Sequence, residues 1–166
     1  MGGREDAARL MAQVVADASV IIALGQIGRL SLLEGLFAEI VIPPAVAREV
    51  APGLASLPPW IRTRALERPR DARVAAASLD EGESEAISLA AETKARHVIL
   101  DDLPARRLAT AMGLPVVGTA GILYLAKQRG LIPALRPPLD ALRARGFRLR
   151  QEVYEDLLEA AGEETP

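Results

Sequence analysis

Short unbroken apolar runs alternate with longer stretches of helical spacing along this chain. "QVVAD", Gln13 to Asp17, is the first such run, and a continuous apolar run of this kind predicts a strand buried on both faces. "SVIIALGQIG" then has helical length, and Gly25 and Gly28 loosen its end. "LSLLEGLF" predicts a second short helix. "EIVIPP" predicts strand two, stopped by Pro43 and Pro44, and "PAVAREV" a helix that proline opens at its first turn. "APGLASLPPW" reads as a loop, and the following segment, Ile61 to Ala77, is marked mainly by Arg62, Arg64, Arg68, Arg70 and Arg73. "SLDEGESEAISLAAETKA" carries a capping pattern at Ser78 or Asp80 and then a helix. "HVILDD" predicts strand three and "LPVVGT" strand four. The helices "PARRLATAMG" and "AGILYLAKQRG" are closed by Gly113 and Gly130. Two more helices are expected at "PPLDALRARG" and "QEVYEDLLEAAG", and the two ends, Met1 to Arg9 and Glu163 to Pro166, read as frayed.

Strands that alternate with helices and are apolar throughout argue for an α/β sandwich with a mainly parallel central sheet. A length of 166 residues fits a single domain, with a core at about 13–130 and a helical extension at about 131–162. Aromatic residues make up only 3%, so the core is built from Ala, Val, Leu and Ile, and a surface of stacked bases is not expected. The net charge of -2 offers no global attraction to nucleic acid or membrane. Without cysteine, and with His97 as the one histidine, any bound metal must be held by oxygen ligands. No signal peptide is evident in "MGGREDAARLM", and the apolar runs are too short to span a bilayer, so the expected compartment is the cytoplasm, with no membrane partner.

The chemistry lies in the carboxylates. In a parallel sheet, active groups gather beyond the carboxyl ends of the strands. Asp17 ends strand one, and Asp101 and Asp102 end strand three. Glu49, next to Val50, and Glu83, in register with Ile87 and Ala90, are expected on inward-looking helix faces. Like charges brought together repel and raise one another's pKa, a conflict that Mg²⁺ or Mn²⁺ removes. Ser19 is then placed to hydrogen-bond the Asp17 carboxylate or a metal-bound water. Each acid also has a plainer reading: Asp17 and Asp102 as helix caps, Glu83 as an acid favoured by a helix dipole, Glu49 as a solvated helix residue. Their joint placement on one edge of the sheet is what favours a metal site.

These residues resemble the PIN domain, and within it the VapC-type ribonuclease toxins of toxin–antitoxin systems. The resemblance starts at "VVADASVIIAL", continues through "VIPPAVAREV" and "GESEAISLAAETKARHVILDD", and takes in "DDLPARRLATAMGLPVVGTAGILYLAKQRGLI". It implies a three-layer α/β/α sandwich and a Mg²⁺- or Mn²⁺-dependent endoribonuclease, in which a metal-activated water attacks the phosphodiester in line. Carried over to this chain, the acids are Asp17, Glu49, Glu83 (where many members have Asp), and either Asp101 or Asp102. Spacing from Glu83 favours Asp101, and spacing to Arg106 favours Asp102. The resemblance also implies an RNA substrate, a protein antitoxin and a homodimer. Arg106 and Arg107, which follow the acid pair directly, are the first candidates to meet the scissile phosphate, and Arg106 reads equally as a partner of one of the acids. Lys127 and two arginine clusters, Arg62 to Arg73 and Arg136 to Arg150, are further candidates that also read as solvated faces. "IGRLSLLEGLF" reads as core or interface, with interface favoured. His97 is expected to pack without a catalytic role. A haloacid-dehalogenase reading fails because Ser19 stands where its second Asp is required, and a receiver domain fails on the order of its acids. A PIN-like protein that binds without cleaving is the remaining alternative.

Overall fold

A computed structural model describes residues 13–165. The strand expected at Gln13–Asp17 forms as β1 (Val14–Ala16), completely buried, at the centre of a five-stranded sheet of order β3-β2-β1-β4-β5. Every pairing is parallel. β2 (Ile40–Ile42) lies on one side of β1, in the register Val15 to Val41. β4 (His97–Ile99) lies on the other, pairing Ala16 with Ile99, and β5 (Val116–Val117) continues that edge. β1 and β2 are apolar throughout because helices cover both faces, which leaves no solvated side for polar residues.

β3 (Ile61–Thr63) corrects the four-strand expectation. It pairs with β2 at the sheet edge, where only Ile61 is buried and Arg62 and Thr63 face solvent. Three residues with two polar ones carry no apolar run to detect, and a charged residue on an edge strand is a common guard against further pairing.

The helices are α1 (Ala18–Gln26), α2 (Leu32–Phe37), α3 (Pro44–Val50), the single turn α4 (Ala72–Ala75), α5 (Glu81–Thr93), α6 (Leu103–Ala111), α7 (Thr119–Gln128), α8 (Arg136–Ala144) and α9 (Gln151–Ala160). α5 packs on α3, α4 and α6, while α7 packs on α1, α2 and α8, giving the three-layer α/β/α sandwich. α2 buries Leu32, Leu33 and Leu36 in the core, so the interface preference for "IGRLSLLEGLF" gives way to core. The frayed reading of the C-terminal end also fails at Glu163, whose carboxylate accepts from the Leu135 and Arg136 amides at 2.7 and 3.1 Å. Those amides open α8, which has no cap side chain of its own. Met1–Arg9 and Pro166 lie outside the described residues. Among the described residues, no helix is long and apolar enough to cross a membrane.

Candidate metal centre and its carboxylates

The chain leaves β1 towards β2 and β3, then returns across the sheet to β4, so the strand order reverses between β1 and β4. The crevice beyond the carboxyl ends of those two strands is where open α/β sheets bind their ligands. Asp17 enters it directly from β1, and Asp101 and Asp102 follow Leu100 at the end of β4. The Asp17 N–H donates to the Ile99 carbonyl at 3.0 Å, which ties the two strand ends together there.

Asp17 stands at the N-cap of α1 with extended backbone, yet its side chain makes no capping bond. It is 4% exposed. Oδ2 accepts from Ser19 Oγ at 3.5 Å, and Oδ1 is fully buried without a hydrogen-bond partner among the described residues. Burial, and then the negative charges of Asp80 and Glu49, push its pKa up to about 7 against the weaker pull of the Ala18 amide and Ser19. A cap would have lowered it. The plain capping reading therefore describes where Asp17 sits and not what its carboxylate does.

Glu83 and Glu49 face the same conflict. Glu83 takes part in a capping box with Asp80: the Glu83 N–H donates to Asp80 Oδ1 at 2.7 Å, and the Asp80 N–H to Glu83 Oε2 at 3.3 Å. Despite these bonds, burial and the charges of Asp80, Asp102 and Asp17 push the Glu83 pKa up to about 7. Glu49, on α3, is exposed and not turned inward as expected, because Ala45, Val46 and Val50 take the buried face; partial desolvation and the charges of Asp80 and Glu81 still raise its pKa, against Arg48 and the Gly82 amide. Gly82 makes the approach possible. A Cβ there would overlap Glu49 Oε1 and lie 3.4 Å from Asp17 Oδ1, so the missing side chain of α5 is what admits both carboxylates.

The fourth acid divides in two. Asp101 is committed to protein: Oδ1 accepts from the Thr119 N–H at 2.8 Å and Oδ2 from Thr119 Oγ1 at 2.6 Å, which caps α7. Asp102 is exposed, caps α6 through the Ala105 N–H at 3.2 Å, and is the one of the two whose charge acts on Glu83. Arg106 Nη1 donates to the Leu100 carbonyl at 3.1 Å, which pins it beside the end of β4. Glu85 is spent elsewhere, accepting from the Ala45 N–H at 2.9 Å to open α3. His97 sits at the opposite end of β4 against the Phe37 ring, with centroids 5.8 Å apart.

Three participants carry no site assignment in the sequence. Asp80 reads there only as a cap, although its charge acts on Asp17, Glu49 and Glu83 together. Gly82 gives a signal, as a glycine in the first turn of a helix where it costs stability. Thr119 gives none, because its partner lies 18 positions away.

The donors fit a hard divalent cation: all are oxygens, one is buried and unpartnered, and three pKa values are raised by burial first and then by neighbouring acids. Among the described residues, no three acids converge closely enough to form a cage.

Residues 13–163 match the model of one family, DUF3368, described as a PIN domain. The chain belongs to the PIN-domain family. PIN domains are generally nucleases and typically use divalent metal ions. No curated protein and no solved structure matches this PIN domain significantly.

Proposed function

We propose that this PIN domain is a Mg²⁺- or Mn²⁺-dependent endoribonuclease that serves as the toxin of a toxin–antitoxin pair. One observation carries the nuclease reading: at the sheet's reversal point, among other acids, Asp17 holds a buried carboxylate oxygen that has neither a hydrogen-bond partner nor a cation beside it among the described residues. Asp17 and Glu83 are the first ligands on this reading. Glu49 and Asp102 are the further candidates to hold the ion, while Asp101 holds α7 in place. A divalent ion supplies charge neutralisation, polarisation of the phosphate and activation of water. The chain's own part is to keep the carboxylates in register through the Asp17–Ile99 ladder bond, the Asp80–Glu83 capping box and the gap at Gly82. Ser19 orients Asp17, and Arg106, fixed on Leu100, presents positive charge where the strand ends meet. The antitoxin and the homodimer rest on the resemblance to VapC-type toxins.

The absence of a preformed three-acid cage among the described residues favours the second reading, a PIN-like protein that binds without cleaving. Titration with Mn²⁺ by calorimetry, followed by RNA cleavage, separates the two. A nuclease binds the ion and cuts RNA, and loses both in Asp17→Asn while keeping its fold. Failure of the wild-type protein to bind Mn²⁺ either alone or with RNA would sink the nuclease reading.

A further inference from the structure

The acids at the start of α5 are of two kinds. Glu81 lies 3.2 Å from Arg48 and 3.7 Å from Arg70. Glu85 lies 3.9 Å from Arg70 and accepts from the Ala45 amide. Asp80 and Glu83 have no such cation among the described residues. Arginines are thus present at this end of the helix, and they pair with the acids on either side of Glu83. The two acids left without one are those whose charges bear on Asp17: Asp80 raises its pKa, and Glu83 is raised by it in turn.

Asp80 has a structural role as the N-cap of α5. Its Oδ1 accepts from the Glu83 N–H at 2.7 Å, and its own N–H donates to Glu83 Oε2 at 3.3 Å. These two bonds fix the Glu83 side chain on the first turn of the helix. They leave Asp80 Oδ2 and Glu83 Oε1 without a protein partner among the described residues. Gly82, in the same turn, brings two more carboxylates in, since a Cβ there would overlap Glu49 Oε1 and lie 3.4 Å from Asp17 Oδ1. That Asp17 oxygen separates this place from an ordinary group of surface acids. It belongs to a side chain only 4% exposed and has no hydrogen-bond partner among the described residues. Capping does not explain the charge at position 80, because Asn and Ser cap as well as Asp. Nor does the helix dipole, which Glu81 and Glu83 already complement in the first turn.

We infer that Asp80 is a positioning residue of the metal centre: it fixes Glu83 through the capping box and adds its own unpaired charge to the carboxylates that draw the cation. It stands outside the acids carried over from the resemblance. The inference rests on the metal site of the nuclease reading and deepens it. In the metal-free protein the Asp80 charge opposes Asp17, Glu49 and Glu83 at once. A bound cation is attracted to all four.

The test is Mn²⁺ calorimetry beside urea denaturation in EDTA, on wild type, Asp80→Asn, Asp80→Ala and Glu81→Gln. Asp80→Asn keeps the cap and removes the charge, while Asp80→Ala removes both. Glu81→Gln removes the same charge one residue away, from a side chain already paired with Arg48 and Arg70. Asp80→Asn should hold its urea midpoint at or above that of wild type, because a repulsion is gone and the cap remains. It should bind Mn²⁺ about tenfold more weakly, at the lower end of the 10–100-fold typical when an outer partner of a metal ligand is lost. Asp80→Ala should lower the urea midpoint and weaken Mn²⁺ binding further, since Glu83 then loses its anchor as well. Glu81→Gln should bind Mn²⁺ as wild type does. Wild-type affinity in Asp80→Asn overturns the inference and leaves Asp80 a plain cap. An equal loss in Glu81→Gln overturns it too, because net charge and not position would then set the affinity. A loss in Asp80→Asn that comes with the same fall in urea midpoint as in Asp80→Ala also overturns it. These three results leave the nuclease reading standing. Failure of the wild type to bind Mn²⁺, with or without RNA, removes that reading and this inference together.

Discussion

Asp17→Asn should make the metal-free protein more stable. The wild-type carboxylate is held in a place where its charge is opposed, and its pKa rises from 3.8 in the unfolded chain to about 7 in the folded one. Below pH 3.8 both states are protonated and the site costs nothing. As pH rises towards about 7, the unfolded chain loses its proton while the folded one keeps it, so folding stability falls across this window and stays low above it. At about 1.4 kcal/mol per tenfold change in proton affinity, the rise from 3.8 to about 7 is worth roughly 4 kcal/mol. Solvent screens part of the repulsion from Asp80 and Glu49, so the expected gain from the neutral isostere is about 2–4 kcal/mol. Urea denaturation in EDTA should show Asp17→Asn more stable than wild type at about pH 8, with the gap closing towards about pH 4. Saturating Mg²⁺ should reverse the order, because only the wild type then gains binding energy. A variant that is less stable than wild type at about pH 8, or an advantage that does not shrink with acid, would refute the account of Asp17 as an uncompensated charge.

Gly82→Ala puts a methyl group into Glu49 Oε1. Calorimetry should therefore show weakened Mn²⁺ binding, even though alanine is the better helix former by about 1 kcal/mol. Thr119→Val removes one of the two hydrogen bonds to Asp101 and should cost about 1–3 kcal/mol in urea denaturation while leaving Mn²⁺ affinity unchanged. Asp101→Asn should likewise lower stability more than metal affinity, and Asp102→Asn should do the opposite, because Asp102 acts on Glu83. Glu85→Ala frees the buried start of α3 and should lower stability by about 1–2 kcal/mol with no effect on cleavage, which is checked by melting curves and a nuclease assay run side by side.

How legible each feature is in the sequence follows from how locally it is encoded. β1, β2 and β4 stand out because burial on both faces leaves an uninterrupted apolar run, and a carboxylate ending such a run marks the sheet's working edge. The capping box at Asp80–Glu83 is legible because both halves lie within one turn. β3 is not, since its pairing with β2 supplies the order that Arg62 and Thr63 do not announce. Asp101 and Asp102 are adjacent and chemically identical in the sequence. The difference between them is made by Thr119 on a different helix. The first arginine cluster is only partly legible for the same reason: Glu67 and Asp71 pair locally with Arg64 and Arg73, but Glu39 for Arg62 and Glu81 for Arg70 come from elsewhere in the chain.

Most of the site's chemistry reduces to which carboxylates are already spoken for by the backbone. Asp101, Glu85 and Glu163 each accept bonds from amides at the open end of a helix, and the charge then works for the fold. Asp17 occupies the same kind of position at the start of α1 and declines the bond. Its neighbours supply more negative charge where a structural role would call for positive. A chain under no other constraint would lower its energy by placing Asn or Ser at position 17, both of which are good caps. The acid persists at an energetic disadvantage of several kcal/mol in the metal-free state, by the ordinary cost of burying an unpaired charge. A bound cation turns that disadvantage into affinity, since every favourable contact the carboxylate lacks in the free protein is one it can make with the ion.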